Sequence, residues 1–244
     1  MKLRIGCLML VLFSLNLSMH ATTCNQDTVN GTYASAAIYG PYVGLWLVTN
    51  DAGNFSGAGA QNFNGTPYTD LTISGTYSVN ANCTFTRTAT DSRGNTTHYS
   101  GNIFGNGAEM VGISTDAGAA IQFTSYRLKK TECTEASAAG TFAEEVQWPL
   151  TPGGAAIETV QLKVSSKGAK SGSWVMNVNA KTILTGTITG TDSMNSNCTF
   201  TSISYASGGG PTTHWFGVGG ISQNGVASLM IDIDSGYVGL ATRY

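Results

Sequence analysis

Two histidines stand in matching surroundings and are the first candidates for chemistry. Each follows a Thr-Thr pair and precedes an aromatic residue: Tyr99 comes after His98, and Trp215 comes after His214. A histidine in this setting can contact a ligand or respond to pH, because its charge changes near neutrality. A histidine on a strand can also satisfy a neighbouring carbonyl, and we favour this structural interpretation. One histidine per site is too few for a metal centre, so we predict none.

Paired carboxylates are the second candidates, because two of them can catalyse glycoside hydrolysis. Glu144 and Glu145 are adjacent, while Asp232 and Asp234 would share one face of a strand and repel each other. The position matching Asp232 in the first half of the chain holds Ser114, so turn chemistry explains this pair better. No Gly-x-Ser-x-Gly motif is present. We predict a non-enzymatic protein with no catalytic residue and no cofactor.

Aromatic residues could instead form a binding surface. Trp46 lies in residues 43–48, which are apolar at both odd and even positions. One face of such a strand belongs to a core, and the other meets a partner unit or a ligand. The candidate ligand-binding residues are therefore Trp46, His98, Tyr99, His214 and Trp215.

The two histidines and their aromatic neighbours occur in matching places because the chain is a duplication. Residues 73–86 recur as residues 188–201 with ten of fourteen positions identical. The shift between matching positions changes only at turn-like stretches, as insertions into surface loops should. We predict a first unit at residues 22–130 and a second at residues 131–244.

Residues 1–21 have the features of a secretory signal peptide. Lys2 and Arg4 precede a mostly apolar run, residues 5–17, and a small residue, Ala21, follows at a plausible cleavage point. We predict a bacterial periplasmic or extracellular protein without a membrane span. Removal of the peptide leaves 10 basic and 14 acidic residues, a net charge of −4, with no basic cluster to bind nucleic acid.

Four cysteines remain after the predicted cleavage, an even number for an oxidising compartment. Four cysteines allow three pairings, and the duplication selects the one that repeats. We predict a disulfide between Cys24 and Cys83 and another between Cys133 and Cys198. Each disulfide then lies within one unit.

The elements that must position all these residues are β-strands. Each unit contains about eight short segments rich in Thr, Val, Ile, Tyr and Phe, bounded by Gly, Asn and Asp. Asn106 and Gly107 predict a two-residue hairpin turn, and residues 136–139 predict one short helical turn at most. The fold class is therefore all-β. We predict two tandem antiparallel up-and-down β-barrels of about eight strands each, with β-sandwiches as the alternative.

The motif Gly-Thr-Tyr followed by Gly-Thr-x-Ser-x-Asn-x-Asn-Cys-Thr-Phe-Thr resembles small exported bacterial domains of unassigned function with calycin-like barrels, shaped like lipocalins or avidin. The resemblance covers both units and implies a binding cavity without catalysis. Tyr33 and Phe142 stand where the lipocalin Gly-x-Trp signature has its tryptophan.

The expected function is that of an exported binding module. Its partner is a small apolar ligand in a barrel lumen or a macromolecule on an aromatic outer patch. The alternative is a structural or protein-interaction protein, such as a surface component or an inhibitor of a secreted hydrolase.

Overall fold

A computed structural model describes residues 23–129, 133–150, 154–208, 212–219, 228–234 and 238–244, with the side chains of Leu150 and Val238 left aside. The predicted signal peptide lies outside these residues. The described chain forms sixteen strands in two closed antiparallel barrels of eight strands each. This confirms the predicted all-β class and the two tandem barrels, and it excludes the sandwich alternative.

The first barrel contains β1 (Gly31–Tyr39), β2 (Tyr42–Asp51), β3 (Asn54–Phe63), β4 (Thr66–Val79), β5 (Thr84–Asp91), β6 (Thr96–Phe104), β7 (Glu109–Ser114) and β8 (Gln122–Arg127). The second contains β9 (Gly140–Leu150), β10 (Ala156–Val164), β11 (Ala169–Val178), β12 (Thr182–Met194), β13 (Thr199–Ala206), β14 (Thr212–Gly219), β15 (Ser228–Asp232) and β16 (Val238–Arg243). Each strand pairs with its neighbours in sequence, while β1 closes on β8 and β9 closes on β16. Closure leaves neither sheet with an unpaired edge.

Alternation along the strands separates the two faces of each wall. On β5, the buried residues are Phe85, Arg87, Ala89 and Asp91, with more exposed threonines between them. Every second residue of β10 is buried in the same way. Successive residues of a strand point to opposite faces, so this pattern assigns alternate positions to the barrel interior.

One end of the first barrel is plugged by the chain that precedes β1. A short 3-10 helix, Gln26–Val29, lies across this end, and its Val29 is almost fully buried. The Gln26 side chain donates to the carbonyl oxygen of Tyr77 and accepts from the backbone N–H of Val79, at 3.1 and 3.0 Å. The Cys24–Cys83 disulfide holds the plug to the start of β5. We call this end the closed end, and the opposite end the mouth.

The second barrel has a plug of the same kind, although no residue of its short helix is buried. Its 3-10 helix, Glu135–Ala138, confirms the short helical turn predicted near residues 136–139. The Glu135 carboxylate accepts a hydrogen bond from the backbone N–H of Met194 at 3.0 Å. The second disulfide joins Cys133 to Cys198, so both predicted pairings are confirmed.

The hairpin between β6 and β7 differs from the prediction. Phe104 pairs with Glu109, so the connection has four residues, and the predicted two-residue turn is wrong. Asn106 and Gly107 do adopt the left-handed backbone of such a turn, with φ of 54° and 81°. The wider loop contacts the plug and also reaches β1, where the carbonyl oxygen of Gly107 accepts a hydrogen bond from the Tyr33 hydroxyl at 2.8 Å.

The two barrels pack side by side through the outer faces of their walls. A shared apolar cluster joins outward residues of β1 and β2 to outward residues of β14 and β15. Val43 and Leu45 contribute from the first barrel, and Val218, Leu229 and Ile231 from the second, all almost fully buried. The apolar character of both faces of β2 follows from this contact, since its inner face lines the first barrel and its outer face meets the second.

Gly75, in the repeated motif, tests the packing inside the first barrel. A Cβ at this position would lie 1.8 Å from the carbonyl oxygen of Thr88 and 2.8 Å from the Phe55 ring. We expect Gly75→Ala to lower the free energy of unfolding by about 1–3 kcal/mol, the usual cost of overpacking. Urea unfolding measures this, with Ser74→Ala on the exposed neighbouring position as the control. Equal stability of the two variants would contradict the packing.

Candidate functional site

The two candidate histidines are exposed and each is held by an aspartate. His98 Nδ1 lies 2.7 Å from Asp116 Oδ1, while its backbone N–H donates to Oδ2 of the same carboxylate at 2.8 Å. His214 and Asp234 repeat this arrangement at 2.9 and 2.8 Å. The hydrogen bonds from His98 to Asp116 lower the pKa of that carboxyl group. The partner is thus a carboxylate from the following hairpin and not the carbonyl that we expected, and the arrangement fastens that hairpin to the wall.

The aromatic neighbours of these histidines point into the barrels, whereas the histidines lie on the outer face of the wall. Tyr99 lies inside the first barrel and Trp215 inside the second. His98 and Tyr99 occupy consecutive positions of one strand, so they lie on opposite faces of the wall. The structure therefore does not bring the histidines and their aromatic neighbours together. It does bring Tyr99 together with Trp46, which is on the inner face of β2.

Trp46 and Tyr99 meet in a cavity of about 290 Å³ at the mouth of the first barrel. The apolar part of its wall consists of Tyr42, Trp46, Phe63, Ile73, Ala89, Tyr99 and Ile121. The polar part consists of Gln61, Asp91, Arg93, Asn95 and Thr97. A mainly apolar wall with a few polar groups at one rim is typical of sites for small molecules.

The polar rim is built on a tight connection between β5 and β6. Asp91 Oδ1 accepts hydrogen bonds from the backbone N–H groups of Arg93 and Asn95, both at 2.9 Å. Burial works to raise the pKa of Asp91, but these hydrogen bonds and those from the Asn95 and Gln61 side chains hold it below its ordinary value. Arg93 stacks over the Tyr68 ring at 3.9 Å. The carboxylate is therefore committed to the loop, and it is not poised to exchange a proton.

The second barrel is filled where the first is hollow. Trp148, Trp174 and Trp215 are all buried in its interior, and the rings of Trp148 and Trp215 pack edge to face with centroids 5.2 Å apart. The space left between these described residues is about 30 Å³. A cavity needs roughly 10–15 Å³ to hold one water molecule, so this space admits little more than solvent.

An ion-pair network completes the interior of the second barrel. Asp192 lies 3.2 Å from Lys170 Nζ and 3.0 Å from Arg243 Nη1, and Glu144 lies 3.1 Å from Arg243 Nε. Lys170 also donates to the Ser202 hydroxyl. Although burial works to raise the pKa of Asp192, the Arg243 and Lys170 charges hold it below its ordinary value. Two buried cations thus face two carboxylates, which offsets the cost of burying all four.

The region of the first barrel that corresponds to this ion-pair network contains a buried cation, Arg87, and, among the described residues, no carboxylate paired with it. Gly75 pairs with Phe55 and Ala89, as Gly190 pairs with Lys170 and Ser204. These registers place Phe55 at the position of Lys170, and place Arg87 at the position of Ser202. Arg87 is only 8% exposed, its guanidinium lies 3.6 Å from the centre of the Phe55 ring, and its Nε is buried without a hydrogen-bond partner.

Arg87 was absent from the residues that the sequence singled out. A signal for it exists, because it alternates with Phe85 and Ala89 in a strand whose apolar residues point inward. A charged residue at an inward position of such a strand marks either an ion pair or a site. The sequence could not distinguish these two cases, since the residues around Arg87 come from other strands.

The carboxylate pairs proposed from the sequence do not act as pairs. Glu144 points inward to Arg243, whereas Glu145 is exposed on the outer face of β9. Asp232 is fully buried, and its Oδ1 accepts a hydrogen bond from the backbone N–H of Asp234 at 2.8 Å. The Asp234 carboxylate binds His214 instead. The four residues therefore have separate structural roles.

Comparisons with protein-family models, with curated proteins and with solved structures found no match to this chain. Among the residues that the structure describes, no helix has the length and apolar character needed to cross a bilayer. The same residues contain no group of three or more His, Cys, Asp or Glu side chains that could hold a metal ion.

Glu158, at the edge of the filled interior, makes the stability of the second barrel depend on pH. Burial raises the pKa of its carboxyl group to about 7 from an ordinary 4.5, although Trp148 Nε1 donates a hydrogen bond to it at 3.0 Å. Between these values the folded protein keeps a proton that the unfolded chain has released. The free energy of unfolding should thus fall by up to about 1.4 kcal/mol per pH unit as pH rises through this window.

The test is urea unfolding of the wild type and of Glu158→Gln at pH 4.5 and 7.5. The amide keeps an acceptor for Trp148 but cannot ionise, so the variant should lose less stability than the wild type over this interval. Glu145→Gln, on the outer face of β9, is the control and should behave as the wild type does. The assignment fails if Glu158→Gln loses as much stability as the wild type.

Proposed function

We propose that this protein is a non-enzymatic binding protein that holds a small, mainly apolar molecule in the mouth of the first barrel. One observation carries the proposal: among the residues that the structure describes, the interior of the first barrel has a cavity of about 290 Å³, and that of the second has one of about 30 Å³. Specific small-molecule sites in proteins begin at about 300 Å³, so the first barrel reaches that range.

The positions of the tryptophans support a site in the lumen over one on an outer aromatic patch. All four tryptophans are buried, with exposed fractions between 2% and 5%. Trp46 lines the cavity, and the other three fill the second barrel. In this proposal the second barrel is a solid support, because its outer face packs against β1 and β2, the wall that carries Trp46.

We also propose that the protein works outside the cytoplasm, in the periplasm or the extracellular space. Each barrel has a disulfide that fixes its plug, and disulfides persist in oxidising compartments. The features of residues 1–21 point to the same route of export. A cavity that faces an external medium suits a molecule that is captured there.

The experiment compares two matched variants by native mass spectrometry of protein purified from its own host. Ala89 lines the first cavity, and Ser204 occupies the same position in the second barrel. We expect a small molecule to remain with the wild type and with Ser204→Leu, and to be lost from Ala89→Leu, whose larger side chain fills the cavity. Circular dichroism and thermal unfolding establish that both variants are folded.

Two outcomes would contradict the proposal. Retention of the small molecule by folded Ala89→Leu would place the site outside the first barrel. Co-purification of a protein partner in place of a small molecule, with Ala89→Leu still binding that partner, would favour the structural or protein-interaction alternative.

A further inference from the structure

The cavity at the mouth of the first barrel has a buried cation beneath it. Arg87 lies halfway along β5, between the closed end and the mouth. A smaller space of about 30 Å³ reaches Arg87, and its wall shares Trp46, Ile73, Ala89 and Tyr99 with the mouth cavity. Arg87 therefore lines a small space that adjoins the mouth cavity and shares four wall residues with it.

The Arg87 guanidinium contacts an aromatic ring, and one of its donors lacks a hydrogen-bond partner. The Phe55 ring covers one face of the guanidinium at 3.6 Å, which is a favourable cation–π contact. This contact engages the face of the guanidinium and makes no use of its in-plane donors, of which Nε is buried without a hydrogen-bond partner. Burying an arginine in this way is costly unless an anion compensates for it.

No described side chain supplies that anion. Burial lowers the pKa of Arg87 to about 10, and the one neighbouring group that counteracts this effect is Tyr99, a phenol. Asp91, the nearest acid along β5, is bound to its own loop. In the second barrel, by contrast, both buried cations contact carboxylates of the protein. In the first barrel, no carboxylate of the described residues forms an ion pair with Arg87.

We propose that the ligand of the first barrel is a monocarboxylate, with its apolar body in the mouth cavity and its carboxylate on the guanidinium of Arg87. This inference rests on the proposed function and names the class of ligand. One buried positive charge is balanced by one negative charge, whereas a phosphate dianion would leave an excess charge in an apolar site. A planar carboxylate also matches the fork of N–H donors that an arginine presents.

The experiment uses two probes of nearly equal size and shape, 2-naphthoate and 2-naphthamide, and the full protein freed of bound molecules by dialysis. Isothermal titration calorimetry measures both affinities. We expect the wild type to bind the carboxylate about tenfold more tightly than the amide, or better, because a charge-assisted contact replaces a neutral one. Arg87→Met should abolish this preference while keeping similar side-chain volume.

Two further variants make the test specific. Lys167→Gln removes one positive charge from an exposed turn of the second barrel, and it should leave the preference unchanged. Arg87→Lys keeps a charge but loses the fork, so its preference should lie between those of the wild type and Arg87→Met. Arg87→Met should also unfold at the same or a higher temperature than the ligand-free wild type, because an uncompensated buried charge is removed.

Three results of this experiment would each contradict a different claim. Equal affinity of the wild type for the two probes would overturn the carboxylate inference and leave the proposed binding function intact. A preference that survives in Arg87→Met would overturn the role of Arg87. Binding of neither probe to the wild type, together with no small molecule on the protein from its host, would overturn the proposed function itself.

Discussion

A closed eight-stranded barrel encloses a small interior, which inward side chains can just fill or which can hold one small ligand. The second barrel fills this interior with three tryptophans and a paired set of four charges. The first barrel fills it near its plug, where Phe55 and Phe85 pack. Its mouth stays hollow above a single buried cation, and the functional proposals follow from that difference.

Duplication explains how one chain contains a filled and a hollow version of the same scaffold. The features that form the scaffold are kept in both halves: the plugging 3-10 helix, the disulfide, the close-packed glycine of the repeated motif and the histidine–aspartate contact on the wall. The differences lie at inward positions. Phe55 and Arg87 of the first barrel are equivalent to Lys170 and Ser202 of the second. Such replacements change the chemistry of the interior without altering the strand pairing around it.

The two barrels also depend on each other through one wall. On β2, Trp46 points into the cavity, and its neighbour Leu45 points into the apolar contact with Val218 and Leu229. Across the same contact, the Asn62 amide donates to the backbone carbonyl oxygens of Asp232 and Asp234, at 3.0 and 3.2 Å. A strand fixed on its outer face keeps the inner face in place, so the filled barrel helps to preserve the shape of the hollow one.

The sequence by itself determined the all-β class, the duplication and both disulfides, because alternation and repetition are patterns along the chain. It favoured barrels over sandwiches, and only the closure of each sheet in the structure decided between them. It did not determine the length of the loop that contains Asn106, a loop that reaches the distant Tyr33. It named Trp46 and Tyr99 as site residues but joined Tyr99 to His98, which lies on the opposite face of the wall. Only the tertiary structure decided that Arg87 has no acid beside it and that one barrel is hollow. Volume and charge compensation depend on which residues of several strands meet across a closed sheet, and no single stretch of sequence contains that information.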